Sequence, residues 1–433
     1  MARRAYRAAL FHLLGDPADI DPLAGYHTDG VLVVENGHIA QAGAWRDIAP
    51  TLGDDVPVTA FANSLIVPGF IDCHVHYPQI DMIASPAAHL MDWLERHTYP
   101  AELRFADIGV ARETAGFFLD ELLRNGTTSA LVFPTVHRGS VKALFEAARD
   151  RDMRVVSGKV LMDRNAPDGL RDTAISGFED SAALIRDWHG KGRLSYAVTP
   201  RFAGSSSERQ LESTHRLLME NPGVLLHTHL SENHEEIALV RALFPDCADY
   251  LGAYEKYGLV GDRSVFAHGI HLSDSEWSRL ATAGASIAFC PTSNLFLGSG
   301  LFDLKRALAE RVGVGLASDI GAGTSLSLLA NMNEAFKISQ LRRYAVDAFR
   351  LFHLATLGAA KALRIDSYVG NFAPGKDADF VVLDLAATPL LARRAALART
   401  PEDVLFTLAM LGDDRAVAHT FVAGRLAHSR STP

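Results

Sequence analysis

The amino-acid sequence predicts a (β/α)8 TIM barrel with a small discontinuous β-sandwich domain formed by the N- and C-terminal segments. Three observations predict it. Eight strand-like segments alternate with amphipathic stretches between positions 65 and 319. β-rich segments flank this series at both ends of the chain. Histidines and an aspartate stand at the ends of the first, fifth, sixth and eighth segments, and the C-terminal strand ends of a barrel converge on one mouth. The 433 residues suffice, since a barrel takes about 250 and leaves room for a smaller domain. A doubly wound parallel sheet has the same local grammar and is the alternative fold.

Taken in order, positions 1–14 carry arginines before a short apolar run. That run is broken by His12 and followed by Gly15-Asp16-Pro17, so it reads as a first strand rather than a targeting signal. Val31-Leu32-Val33-Val34-Glu35 leads through Asn36-Gly37 into His38-Ile39-Ala40. Asn-Gly between apolar runs signals a hairpin, because both turn positions favour positive φ. The barrel strands are expected at 65–76, 128–133, 155–162, 194–201, 224–232, 265–268, 286–291 and 312–319. Helical spacing marks 112–124 (ending before Gly126), 141–150 and 235–244. The stretch 77–107 lacks periodicity and is expected to form a lid or substrate loop. Strands return at 379–383, 416–422 and 425–428, the last two joined through Ala423-Gly424. The expected division is 1–66 and 366–433 for the β domain and 67–365 for the barrel.

Hydrophobic residues make up 48% of the chain, enough for a sizeable core. The formal charge of −9 argues against nucleic acid or an anionic membrane as partner. No stretch approaches the roughly 20 apolar residues that span a bilayer. Cys73, Cys247 and Cys290 are too few and too scattered for a disulfide framework, which points to a reducing, cytoplasmic compartment.

The chemistry begins at Pro68-Gly69-Phe70-Ile71-Asp72-Cys73-His74-Val75-His76. Strand side chains alternate, so His74 and His76 share a face and can share a metal. Alone, the pair also fits two partly buried strand histidines. The fifth segment adds His227-Thr228-His229, the sixth His268 and the eighth Asp319. Three histidines and a carboxylate suit zinc, with room for water. His227 lies one pleat deeper than His229 and is not counted as a ligand. Zinc would bring the pKa of water toward about 7, and a proton carrier is still needed. Glu232, three residues beyond His229, is placed for that. Its plain alternative is an exposed carboxylate at a helix start. The fourth segment ends Val198-Thr199-Pro200-Arg201-Phe202, without the lysine that bridges two metals in some barrel hydrolases. Lys159 lies inside the third.

Several stretches carry a resemblance. They are the Pro-Gly-Phe-Ile-Asp-x-His-x-His opening, His74-Val75-His76-Tyr77-Pro78-Gln79, Thr98-Tyr99-Pro100-Ala101-Glu102, and Thr199-Pro200-Arg201-Phe202. With them stand Thr228-His229-Leu230-Ser231-Glu232-Asn233 and the run from Cys290 to Gly300. Together they resemble the guanine deaminase family of the amidohydrolase superfamily, over about Pro68 to Ser327. The resemblance implies one zinc per chain on His74, His76, His229 and Asp319. It implies that Glu232 shuttles protons, that His268 supports the attacking water and that Asp319 can take its proton. Gln79 and Arg201 would contact the purine, with Phe202, His229 and Glu232 beside it. For Arg201 the plain alternative is a surface salt bridge, and for Gln79 a loop hydrogen bond. The implied reaction adds water at C2 of guanine, with N3 protonated by Glu232, and yields xanthine and ammonia. A homodimer is also implied. The rivals are a sister enzyme that deaminates or dechlorinates another heterocycle, such as a triazine, and a non-catalytic barrel scaffold. A scaffold would usually lack ligands, whereas every expected ligand is present.

Overall fold

Two sheets divide the chain. The structure is a computed structural model describing residues 3–86 and 90–430. The start of the first expected strand and positions 87–89 of the expected lid lie outside the described residues.

The larger sheet holds β5 (Phe70–His76), β6 (Thr127–Phe133), β7 (Arg154–Ser157), β9 (Leu194–Pro200), β10 (Leu225–Leu230), β11 (Ser264–His268), β12 (Ser286–Phe289) and β13 (Gly313–Leu316). They run parallel in that order, and a short β8 (Val160–Leu161) pairs with β9. The ring closes just beyond β13. Asp319 N donates to His74 O at 2.9 Å, and His76 N donates to Ile320 O at 3.0 Å. Asp72, fully buried on β5, accepts from Ser318 N at 3.1 Å and also from Ser318 Oγ. A doubly wound sheet has no such closure, so the barrel is the fold.

Crossover helices start where short polar side chains cap them. Asp107 accepts from Gly109 N, Ser207 from Gln210 N and Ser273 from Glu276 N, at the heads of Ile108–Arg124, Glu208–Glu220 and Asp274–Ala283. Gly284, at φ 69°, ends the last of these in the left-handed conformation that glycine adopts freely.

Two expected strands are each divided. The run 65–76 is two strands in two sheets. β4 (Val58–Pro68) pairs antiparallel with β14 (Phe380–Asp384), and β5 begins at Phe70. Gly69 is the pivot: a Cβ there would lie 2.2 Å from Thr128 Oγ1. The run 155–162 breaks at Gly158, where a Cβ would stand 1.7 Å from Ala197 O. Apolar residues lie on both sides of each break, so hydrophobic pattern shows neither. The described residues of the 77–107 stretch form short helical turns, including Tyr77–Met82, Leu90–Trp93 and Tyr99–Leu103, rather than irregular loop.

The smaller sheet joins both chain ends: β16 (Arg425–Ser429), β15 (Val417–Val422), β14, β4, β1 (Arg4–Phe11), β2 (Tyr26–Glu35) and β3 (His38–Ala44). The Asn36-Gly37 hairpin forms as expected, with φ of 52° and 85° at its two turn residues. The sandwich is one sheet rolled over its own core. Its two end turns meet, so that a Cβ on Gly37 would touch Ala423 O at 3.0 Å. Phe380 and Phe421 stack at 4.2 Å inside it, and Tyr6 lies 5.0 Å from each. The C-terminal segment also contributes the helix Pro401–Leu411. Its Phe406 ring meets Phe336 of the barrel helix Leu328–Leu341 at 5.0 Å.

Candidate active site

Period-two alternation on β5 brings His74 and His76 to one face, their Nε2 atoms 3.1 Å apart. Asp319 Oδ1 lies 3.2 Å from the first and 3.3 Å from the second. His229, at the end of β10, donates from Nδ1 to Arg201 O at 2.7 Å, which leaves Nε2 for the mouth. Its ring centre is 4.8 Å from that of His74. His268 ends β11, and the ligand atoms of His74, His229 and His268 all lie within 4.8 Å of one another. The four expected ligands and His268 therefore meet. His227 sits below them, its Nε2 2.7 Å from His74 Nδ1. That contact fixes the orientation of the His74 ring.

The donor set fits a divalent metal. Burial pushes His76 down to about 3 and lowers His74 and His229, so these imidazoles are neutral. Burial opposes charge on Asp319, but His74 and the hydrogen bonds from His74 and His76 outweigh it and hold the carboxyl well below its usual range. Neutral imidazoles and an ionised carboxylate are the forms that bind metal. His76 Nδ1 has no hydrogen-bond partner although it is buried.

Three of the turns that aim these groups are strained. Ser231, His268 and Asp319 have φ of 48°, 72° and 49°, in the left-handed region that side chains avoid. Each costs roughly 1–2 kcal/mol, which the surrounding barrel must hold in place. His268 Nδ1 donates to Asn294 Oδ1 at 3.0 Å. This turns Nε2 toward Glu232 Oε2 at 3.4 Å and Asp319 Oδ2 at 3.8 Å.

Glu232 is not an exposed helix-start carboxylate. It is 3% exposed, and Ser299 Oγ donates to its Oε1 at 3.1 Å. Burial, reinforced by the charge of Asp319, pushes it up to about 8, so it holds a proton near neutral pH. The capping role belongs to Glu236, which accepts from the backbone N–H of Glu232 at 3.0 Å and of Asn233 at 3.4 Å. The two glutamates stand four residues apart with opposite duties.

The remaining cavity wall is polar at one end. Gln79, Arg201 and Phe202 line it together with the histidines and with Trp93 and Leu94 from the 77–107 stretch. Arg201 is no surface salt bridge: it is buried, and its Nη1 donates to both oxygens of buried Glu102 at 2.9 and 2.8 Å. Gln79 is fixed at both ends of its amide. Nε2 donates to Glu102 Oε1 at 3.1 Å, and Oε1 accepts from Gly321 N at 3.2 Å.

The amidohydrolase family model matches residues 65–427. The chain belongs to the amidohydrolase family. Guanine deaminase of Escherichia coli K12 is 49% identical over 418 residues, covering 96% of this chain and 95% of that one. A probable guanine deaminase of Deinococcus radiodurans is 41% identical, covering 99% of both. In three dimensions, E. coli guanine deaminase matches with a TM-score of 0.95 across 100% of both chains. Guanine deaminase of C. acetobutylicum, solved with guanine in its active site, matches at 0.88 with 28% identity over 98% of this chain and 99% of that one.

In this amidohydrolase the fourth barrel strand ends in Pro200, followed by Arg201, without a lysine. Lys159, beyond β7, is buried in an ion pair with Asp172. Sequence reasoning missed the partners that aim the site: Glu102, Asn294, Ser299, Glu236 and Asp72. Four of these lie inside the motifs quoted above, but a motif does not say which side chain each one touches.

Proposed function

We propose that this amidohydrolase deaminates guanine hydrolytically, giving xanthine and ammonia. The observation that carries the reading is a single cavity. It is lined by hydrogen-bond donors, Arg201 and Gln79, by a buried carboxyl, Glu232, and by a convergent cluster of histidines. Guanine presents a carbonyl and ring nitrogens that accept from such donors. The identity to guanine deaminases along the whole chain supports the same substrate.

His74, His76, His229 and Asp319 would hold one zinc ion. When bound, zinc brings the pKa of a water molecule toward about 7 and makes it a nucleophile at neutral pH. The protein groups do the rest. Arg201 and Gln79 orient the purine, and Phe202 packs beside it. As the new C2–O bond forms, Glu232 gives its proton to N3 and takes one water proton in its place. The second proton passes to the amine, for which Asp319 is a relay, and the C2–N bond breaks to release ammonia. His268 holds the attacking water through Nε2, with Asn294 fixing its ring. We also propose the division into 67–365 as barrel and 1–66 with 366–433 as the second domain. The change of sheet between Pro68 and Phe70 supports a first boundary close to it, with Val67 and Pro68 still on the smaller sheet.

The test is ammonia release by the purified protein from guanine, adenine, cytosine and a triazine in parallel. Guanine should be the preferred substrate, with xanthine formed in equal amount. Turnover of another heterocycle with none of guanine would overturn the reading.

A further inference from the structure

The geometry points to Glu102 as a positioning residue that sets specificity: it locks Arg201 and Gln79 as donors, so the site takes purines with an oxo group at C6 and refuses those with an amino group there. This rests on the proposed reaction and deepens it.

Glu102 lies 99 residues from Arg201 in sequence and is completely buried. Among the described residues it makes no hydrogen bond or ion pair with a histidine of the cluster. Both its oxygens face Arg201 Nη1, and Oε1 also accepts from Gln79 Nε2. Two consequences follow. First, a guanidinium buried without a partner charge would favour anionic ligands; paired with Glu102 through Nη1, Arg201 lines the cavity as a neutralised donor group suited to a neutral ligand. Second, the Gln79 amide loses its freedom to flip. Gly321 N–H only donates, so it claims Oε1, and a carboxylate only accepts, so it claims Nε2. The wall is then committed to donating. A 6-oxo group accepts from it. A 6-amino group would set donor against donor inside a buried pocket, and buried polar groups left unpaired are what make such sites selective.

The test compares guanine with 2,6-diaminopurine, which keeps the reacting 2-amino group and replaces only the 6-oxo group. kcat and KM are measured for the metal-loaded parent, Glu102→Gln and Glu102→Asp, with metal content and thermal melting on the same samples. For Glu102→Gln, KM for guanine should rise about 10- to 100-fold, the worth of one charged hydrogen bond. kcat should change far less, metal content should hold, and the preference for guanine over 2,6-diaminopurine should narrow by a similar factor. Glu102→Asp keeps the charge on a shorter stem and should recover part of both. It is also the variant to read if the glutamine form does not fold.

A purely structural Glu102 would lower melting and leave KM and preference untouched. Parental KM and preference in either folded variant would overturn the assignment, as would failure of both variants to fold. A parent that releases no ammonia from guanine instead sinks the proposed reaction, and this inference with it.

Discussion

The barrel mouth and the rolled sheet bury their residues for opposite ends. The sheet hides rings: Tyr6, Phe380 and Phe421 pack in ordinary aromatic contact. The mouth hides His74, His76, Glu232, His268 and Asp319, all almost fully removed from water. It also holds three non-glycine residues at positive φ. Burying rings stabilises a fold, whereas burying polar groups stabilises it only when each finds a partner. The difference teaches where stability and activity reside. The sheet and the barrel wall hold the chain together, and the mouth uses that rigidity to keep charges where water would disperse them.

The comparison can be broken from either side. The largest effect is expected at the mouth. Asp319→Ala should abolish both metal content and turnover, because it removes the one charged group of the proposed ligand set. Metal-free parent and metal-free variant should nevertheless melt close together. Metal analysis and calorimetry check both halves of this. In the sheet, Phe380→Ala should cost about 3–5 kcal/mol, as for a fully buried aromatic ring. Turnover per folded molecule should stay parental, which denaturant titration beside activity reads directly.

A pH experiment probes a buried polar group on the sheet side, where His12 packs on Phe372. His12 follows β1, accepts from Phe372 N at 3.3 Å and is pushed by burial from 6.5 down to about 4. Below pH 6.5 the unfolded chain takes up a proton that the folded chain refuses until about pH 4. Stability from this group is therefore intact above 6.5 and falls as pH drops through that window. The loss amounts to about 3 kcal/mol, at about 1.4 kcal/mol per pH unit. His12→Gln should flatten the acid limb of stability against pH by that amount without touching turnover at pH 7.5. A smaller effect is expected back at the mouth. Arg201→Lys keeps the charge but loses the planar fork, and kcat/KM for guanine should fall about tenfold or more with metal retained.

Much of this was legible in the sequence, and the exceptions have physical causes. Alternation along one strand placed His74 and His76 together, and the barrel rule brought His229, His268 and Asp319 to them. Asn36-Gly37 declared its hairpin. The breaks at Gly69 and Gly158 stayed hidden, because continuous apolar runs look alike whether one strand or two crosses them. For Glu232, read as the proton carrier, the sequence also left open a helix-start carboxylate, because it stands one residue before the cap Asn233. Glu236 does that work instead, and only the fold separates the two. Glu102 had no readable role at all, since both its partners reach it from distant segments.

One variant tests the account most directly. Glu232→Gln keeps the size and hydrogen-bonding reach of the side chain but cannot carry a proton at neutral pH. Because the native group is buried and holds a proton near neutral pH, the amide replaces it with little change in burial or charge. On one purified sample, ammonia release from guanine should fall about 10²–10⁴-fold, the usual contribution of a positioned acid–base group. Metal content should match the parent, and melting should shift little. Near-parental turnover would contradict the account.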